Sequence, residues 1–98
     1  MKDGLNIDDM GTKSWYLNGV LHREDGPALI YESGCKLWYL NGLIHREDGP
    51  AIEHGNLELH WLLNGIYYNE DEFNVIQLVK KLNSELSYDH QQSKKLKI

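Results

Sequence analysis

Residues 15–28 of the chain read WYLNGVLHREDGPA, and residues 38–51 read WYLNGLIHREDGPA. A third, less complete copy begins at Trp61, so the three tryptophans are spaced 23 residues apart. A fixed spacing of this length is typical of repeat proteins, in which one small unit stacks on copies of itself and buries an apolar face that it could not bury alone. The sequence therefore predicts a stack of such units.

Each copy carries the residues of a tight turn. Asn-Gly occurs at residues 18–19, 41–42 and 64–65, in each case between apolar runs. Because both residues accept positive φ angles, Asn-Gly is the strongest short signal for a two-residue hairpin loop. The strand before each turn alternates in character, and the strand after it is short. The sequence thus predicts three β-hairpins.

Two further signals divide one hairpin from the next. The bend at Asp48-Gly49-Pro50 ends the short strand, since proline offers no N–H and restricts the residue before it. Turns at Ser33-Gly34 and Gly55-Asn56 then join the following strands. We therefore expect a mostly β protein, with an antiparallel β-hairpin repeat of period 23 forming a single sheet over residues 5–68.

The carboxyl-terminal third departs from the repeat. Residues 70–73 read EDEF where the preceding unit has EDGP, so both turn residues are lost. Asn69 and Glu72 form a capping box, and acidic residues favour the first turn of a helix. An apolar stripe follows at helical spacing: Phe73, Ile76, Val79, Leu82 and Leu86. We predict a C-terminal amphipathic capping helix over 69–86 that covers the open end of the sheet, and a flexible basic tail over 87–98.

Composition indicates one domain over residues 1–98 with an acidic body. Residues 1–77 contain thirteen acidic and five basic residues, whereas residues 78–98 contain two and five. Nucleic acid and anionic membranes attract Lys and Arg, so we expect the acidic body to bind a protein and neither of these two. The terminal lysines at 94, 95 and 97 are interpreted as a solvated tail, and an anionic membrane surface or nucleic acid is the alternative. The chain has no apolar run long enough to span a membrane and no charged-then-apolar leader, which predicts a cytoplasmic protein.

Cys35 is the single cysteine. It cannot form an internal disulfide, and four Cys or His at zinc-ligand spacing are missing. We therefore expect neither metal nor cofactor. Cys35 is interpreted as a small residue on a strand, and the alternative is a reactive thiol. His54 and His60 do not repeat, and His60 is interpreted as an exposed strand residue.

The candidate functional residues are the polar ones that recur at the same point of two units: His22, Arg23, Asp25, His45, Arg46 and Asp48. One interpretation is structural, with Arg and acids pairing between neighbouring units and the histidines packing beside the tryptophans. A second makes this edge a partner-binding surface, where arginine reaches groups of another protein. A third is catalysis or metal binding, which duplication disfavours because an active site needs different groups at one place.

The repeated phrase WYLNGxxHREDGPA resembles a variant of the MORN-type repeat, over roughly residues 5–68. In the usual MORN unit glycine follows the histidine, whereas here Arg-Glu-Asp intervenes before Gly-Pro. Repeats that resemble this variant are common in tailed phages and large DNA viruses. The resemblance implies an elongated antiparallel β-sheet and a non-enzymatic binding role.

Two functional hypotheses follow. The first is a protein–protein interaction module, such as a phage-encoded inhibitor of a host defence system or host enzyme that acts in the host cytoplasm by covering a site or mimicking an acidic ligand. The alternative is a structural protein that self-assembles into a homo-oligomer through its sheet edge or its helix.

Overall fold

The computed structural model describes residues 2–55 and 58–96, and it places side chains up to residue 86. Short strands precede one long helix. The elements are β1 (Gly4–Ile7), β2 (Lys13–Leu17), β3 (Val20–Leu21), β4 (Leu29–Ile30), β5 (Lys36–Leu37), β6 (Tyr39–Leu40), β7 (Leu43–Ile44), β8 (Ile52–His54), β9 (Glu58–Leu63), β10 (Ile66–Tyr68) and α1 (Glu70–Leu96). The protein is mostly β with a C-terminal helix, as the sequence predicted.

All strand pairs in the described residues are antiparallel. The large sheet has the order β1-β2-β4-β5-β8-β9-β10, with β3 also paired to β2, while β6 and β7 form a two-stranded ladder. Trp38 joins the two ladders, since its N–H donates to the Ala51 carbonyl over 2.8 Å and its carbonyl accepts from the His45 N–H over 2.9 Å. The expected single sheet is thus divided at Trp38: β5, before it, pairs within the large sheet, whereas β6, after it, pairs with β7.

The three Asn-Gly turns have the predicted conformation. Asn18, Asn41 and Asn64 have φ angles of 52°, 51° and 51°, and the glycines after them have φ angles of 82°, 81° and 80°. Each turn has two residues, because the flanking residues pair directly, as Leu17 does with Val20. Of the two other expected turns, the one at Ser33-Gly34 forms: Gly34 has a φ angle of 95°, and its N–H donates to the Tyr31 carbonyl over 2.9 Å. The turn at Gly55-Asn56 reaches residues 56–57, which lie outside the described residues.

The core is small because the sheet is thin. The molecule measures 65 × 31 × 17 Å along its principal axes. Among the residues whose side chains are described, the buried apolar ones are Ala28, Ala51, Ile52, Leu62, Leu63 and Phe73. Ile52 and Leu62 pack together, and the half-buried side chains of Leu37, Trp38 and Ile44 lie against them. The centre of packing is therefore in the second and third units.

The helix begins as predicted. The Asn69 N–H donates to Glu72 Oε1 over 3.0 Å, and the Glu72 N–H donates to Asn69 Oδ1 over 2.8 Å. This reciprocal pair is a capping box. Phe73, one turn later, is only 3% exposed. The first turn is therefore fixed to the rest of the molecule.

The predicted cover of the sheet end by the whole apolar stripe is wrong. Val79 and Leu82 are each 46% exposed and Leu86 is 62% exposed. The helix packs against β9. Within the predicted stripe, Phe73 is buried and Ile76 is half-buried, so only the part of the stripe near the start of the helix is covered.

The helix also ends later than predicted. It continues to Leu96 instead of ending at residue 86, because residues 87–96 contain no glycine or proline and several good helix formers. The predicted flexible tail is therefore helical up to residue 96, and residues 97–98 lie outside the described residues. In the part of the chain that the structure describes, no helix has both the length and the apolar character needed to cross a bilayer.

Candidate functional site

The segment HREDGPA forms a loop that leaves the sheet in two of the units. We call residues 22–28 the first HRED loop and residues 45–51 the second HRED loop. The first loop is closed by two backbone bonds: the Trp15 N–H donates to the Ala28 carbonyl over 2.8 Å, and the His22 N–H donates to the Trp15 carbonyl over 2.9 Å. Trp38 closes the second loop with the corresponding two bonds. Both loops are thus held at their bases by a tryptophan backbone.

The arginine of each loop folds back over the same tryptophan. The Arg23 guanidinium carbon lies 3.9 Å from the centre of the Trp15 ring, and Arg46 lies at the same distance from Trp38. This is the geometry of a cation–π contact. Arg46 Nε donates to Asp48 over 2.7 Å and Nη1 donates to the Pro50 carbonyl over 3.1 Å. The first loop repeats these bonds, so both arginines are held in place.

These ion pairs differ from the sequence-based interpretation in one respect. Arginine and acid were expected to pair between neighbouring units, but Arg23 pairs with Asp25 and Arg46 with Asp48 inside one loop. The reason is local, because the Asp two residues later and the proline carbonyl four residues later both lie within reach once the arginine stacks on its tryptophan.

The loop glycines have a role that the sequence did not reveal. A Cβ built on Gly26 would lie 3.0 Å from the Arg23 guanidinium carbon, and one built on Gly49 would lie 2.9 Å from that of Arg46. Each guanidinium is therefore sandwiched between a tryptophan ring and a glycine backbone. A signal was present in the sequence, since Trp, Arg and Gly recur together at fixed spacing in both copies.

The two histidines connect each loop to the hairpin turn of the next unit. Nδ1 of His22 accepts a bond from the Asn41 N–H over 2.9 Å, and Nδ1 of His45 accepts one from the Asn64 N–H over 2.8 Å. A ring nitrogen that accepts from a backbone N–H carries no proton, so Nε2 is the protonated nitrogen in this arrangement. His45 Nε2 donates to Glu47 Oε2 over 2.9 Å. His45 is buried at 6% exposure, so it is a structural link between units.

The acidic residues remain at the surface. The side chains of Asp25 and Asp48 are 88% and 85% exposed. The hydrogen bond from Arg46 holds the pKa of Asp48 below its ordinary value, and the bond from His45 does the same for the pKa of Glu47. Both carboxylates therefore stay charged under neutral and mildly acidic conditions.

An open groove with a volume of about 580 Å³ lies between the two HRED loops. Five of the six candidate residues line it, and His22 is the one that lies outside. The lining of the groove is made of Arg23, Glu24, Asp25, Gly26, Pro27, Trp38, Leu40, His45, Arg46, Glu47 and Asp48. Glu24, Glu47, Trp38 and Leu40 line the groove beside the candidate residues. The groove thus combines four carboxylates with an aromatic and an aliphatic side chain.

In its described residues, the third unit does not repeat the loop. Asn69 stands where arginine would stand, and Glu72 stands where glycine would stand. These two residues form the helix cap instead. The described residues therefore form one groove between consecutive HRED loops.

Comparison of the chain with protein-family models, with curated proteins and with solved structures finds no match.

Proposed function

We propose that the chain is a non-enzymatic protein-binding module built from MORN-like repeats of 23 residues, and that its groove binds a basic segment of the partner. The observation that carries the proposal is the pair of acidic loop tips on either side of one groove. Asp25 and Asp48 have side chains that are 88% and 85% exposed, so they are open to a lysine or arginine from outside.

The aromatic and aliphatic groups of the groove support the same proposal. Protein interfaces combine apolar anchors at the centre with charged groups at the rim. Trp38 and Leu40 supply the apolar part, and both are half-buried. The stem of a lysine or arginine side chain can lie on such a surface while its charged end reaches a carboxylate.

The arginines are less suited to contact a partner than the sequence suggested. Nε and Nη1 of both side chains are bound within their own loops, and both guanidinium faces are occupied by tryptophan and glycine. We therefore assign Arg23 and Arg46 to shaping the loops, and Asp25 and Asp48 to contact with the partner.

The charge of the chain defines the class of partner further. The excess of acidic residues in residues 1–77 repels nucleic acid and anionic lipid, and it attracts a basic protein surface. The resemblance to viral repeats extends the proposal to a phage-encoded inhibitor that covers a site on a host protein or mimics an acidic ligand in the host cytoplasm.

The test compares three tagged, full-length proteins: wild type, Asp25→Asn with Asp48→Asn, and a control with Asp9→Asn and Glu32→Gln. Both double variants remove two negative charges, but the control leaves the groove intact. Each is used for a pull-down from a bacterial lysate at moderate salt, with and without nuclease. We expect one nuclease-resistant protein on the wild type and the control, and a loss of at least tenfold with the groove variant. Equal capture by all three proteins would remove the groove from the interface.

A second candidate function, homo-oligomeric assembly, is favoured by the exposed stripe on α1. Val75, Leu78, Val79, Leu82 and Leu86 are all more than two-fifths exposed. Val75, Val79, Leu82 and Leu86 have the alternating four- and three-residue spacing of a coiled-coil seam. A second copy of the helix would bury this stripe.

Light scattering at two protein concentrations separates the two functions. Leu82→Lys places a charge in the stripe, whereas the control Ser84→Lys adds the same charge on the opposite side of the helix. Assembly predicts a concentration-dependent mass that Leu82→Lys alone reduces. A monomer at both concentrations would contradict assembly.

A further inference from the structure

One face of the sheet carries three side chains of the types that bind metal ions, and they lie outside the groove. His54 ends β8, while Glu58 and His60 lie on β9. His54 stands directly opposite Glu58 in the strand register, and His60 stands opposite Ile52. Because side chains alternate along a strand, all three project from the same face. One ligand atom from each residue lies within 4.8 Å of the other two.

We propose that His54, Glu58 and His60 bind a divalent transition-metal ion, and that Zn²⁺ fits them best. Two imidazoles and one carboxylate are a common zinc ligand set, in which the fourth position is left open to water. Ligand atoms of a tetrahedral zinc site lie about 3.3–3.6 Å apart. Nε2 of His60 and Oε2 of Glu58 are 3.6 Å apart, which is at the upper end of this range.

Neighbouring side chains hold the two imidazoles in suitable orientations. Cys35 Sγ lies 3.0 Å from Nδ1 of His54, which leaves Nε2 of that ring for the metal. The Tyr67 ring meets the His60 ring edge to face, with ring centres 5.7 Å apart. Both contacts restrict the orientation of the rings, which is the role that hydrogen-bond partners of ligating histidines have in metal sites.

The preceding unit shows that the fold does not need these three residues. The positions 23 residues earlier hold Tyr31, Cys35 and Leu37, and the sheet forms there as well. The sequence gives no signal for this site, because these three residues neither recur in the repeat nor form a set of four Cys or His ligands. His54, Glu58 and His60 converge only through the register of one hairpin.

The proposal is tested by titrating the full-length, metal-free protein with Zn²⁺ in a calorimeter. We expect one ion per chain. The variant with His54→Tyr and His60→Leu takes the residues that stand at the corresponding positions of the preceding unit, so it is compatible with the fold. It should bind zinc at least tenfold more weakly, and Glu58→Gln should also weaken binding. The control His90→Gln removes a histidine elsewhere and should bind as the wild type does.

Circular dichroism of each metal-free variant shows whether the fold is retained. The absorption spectrum of the protein loaded with Co²⁺ identifies the types of ligand atom. Because Cys35 is assigned to positioning, we expect d–d bands of a four-coordinate site without a sulfur-to-cobalt charge-transfer band. Equal zinc affinity in the wild type and the folded double histidine variant would overturn the site, as would no binding at a large molar excess of zinc. The site is separate from the groove, so neither result bears on the proposed partner.

Discussion

At the scale of single residues, the loop glycines decide whether arginine can stack on tryptophan. Gly49 is not among the glycines with positive φ, so its backbone conformation is open to other residues. A side chain there would have to displace the guanidinium of Arg46, whose carbon would lie 2.9 Å from a Cβ. The preference for glycine is therefore a matter of the space that the stacked arginine needs.

Gly49→Ala should accordingly lower the free energy of unfolding by about 1–3 kcal/mol, as overpacking usually does. The added methyl group displaces Arg46 from Trp38 and weakens its bonds to Asp48 and Pro50. Urea unfolding of the wild type and the variant measures the change. The same substitution in an Arg46→Ala background is the control, and it should cost much less because the clash is gone. An equal loss of unfolding free energy in both backgrounds would show that backbone conformation, and not the clash with Arg46, makes alanine unfavourable at residue 49.

The loop carboxylates predict how stability depends on pH. The pKa values of Glu47 and Asp48 are lowered in the folded protein by bonds from His45 and Arg46. A lowered folded-state pKa adds stability above the unfolded values of about 4.3 and 3.9, and this contribution is lost as the pH falls through the folded-state pKa. Stability should therefore decrease as the pH falls from 5 to 3.

Glu47→Gln with Asp48→Asn should lower stability at pH 7 and make its decrease between pH 5 and pH 3 shallower. Thermal unfolding across this pH range measures both effects. Glu32→Gln, which removes a charge outside the loops, should leave the slope as in the wild type. If stability decreased with pH as steeply in the loop variant as in the wild type, the acid sensitivity would come from other groups.

At the scale of elements, the helix depends on its first turn. Asn69→Ala removes the side-chain acceptor of the capping box and should cost about 1 kcal/mol. Asn74→Ala is a matched control, since Asn74 is exposed inside the helix and alanine is the better helix former. Urea unfolding followed at a helix wavelength gives both values. If the two substitutions had the same effect, the cap would have no special role.

The elements also show what could be predicted from sequence. The Asn-Gly turns and the capping box were predicted because each depends on residues within four positions of one another. The extent of the helix contact and the stacking of Arg46 on Trp38 were not predicted. They depend on where the helix lies against the sheet and on which ring faces the loop, which are properties of the assembled structure.

The candidate site, too, could be predicted from the sequence only in part. His45 and Arg46 were selected because they recur, and the structure places them at one groove. Their roles could not be predicted, because the acceptor for the Asn64 N–H is a histidine nineteen residues away. Glu58 and His60 carry no repeat signal and come together with His54 only through strand pairing.

At the scale of the whole molecule, the units are connected in series through their histidines. His22 joins the first HRED loop to the turn at Asn41, and His45 joins the second loop to the turn at Asn64. Backbone bonds accompany each link, from Gly42 N–H to the Leu21 carbonyl and from Gly65 N–H to the Ile44 carbonyl. In such a stack, the free energy of unfolding is close to the sum of the intrinsic stabilities of the units and the energies of the contacts between neighbouring units.

Native-state hydrogen exchange should therefore respond differently to the two histidines. His22→Ala removes the acceptor of the Asn41 N–H, and because this bond is exposed, water can take the place of the histidine; the expected cost is about 0.5–1.5 kcal/mol. Exchange should become faster in β1 to β4 while β8 to β10 stay protected. His45→Ala should speed exchange in β9, β10 and the start of α1, and it should cost more because His45 is buried at 6% exposure. If either variant accelerated exchange equally across the whole sheet, the units would be unfolding together, and the description as neighbours coupled in series would be wrong.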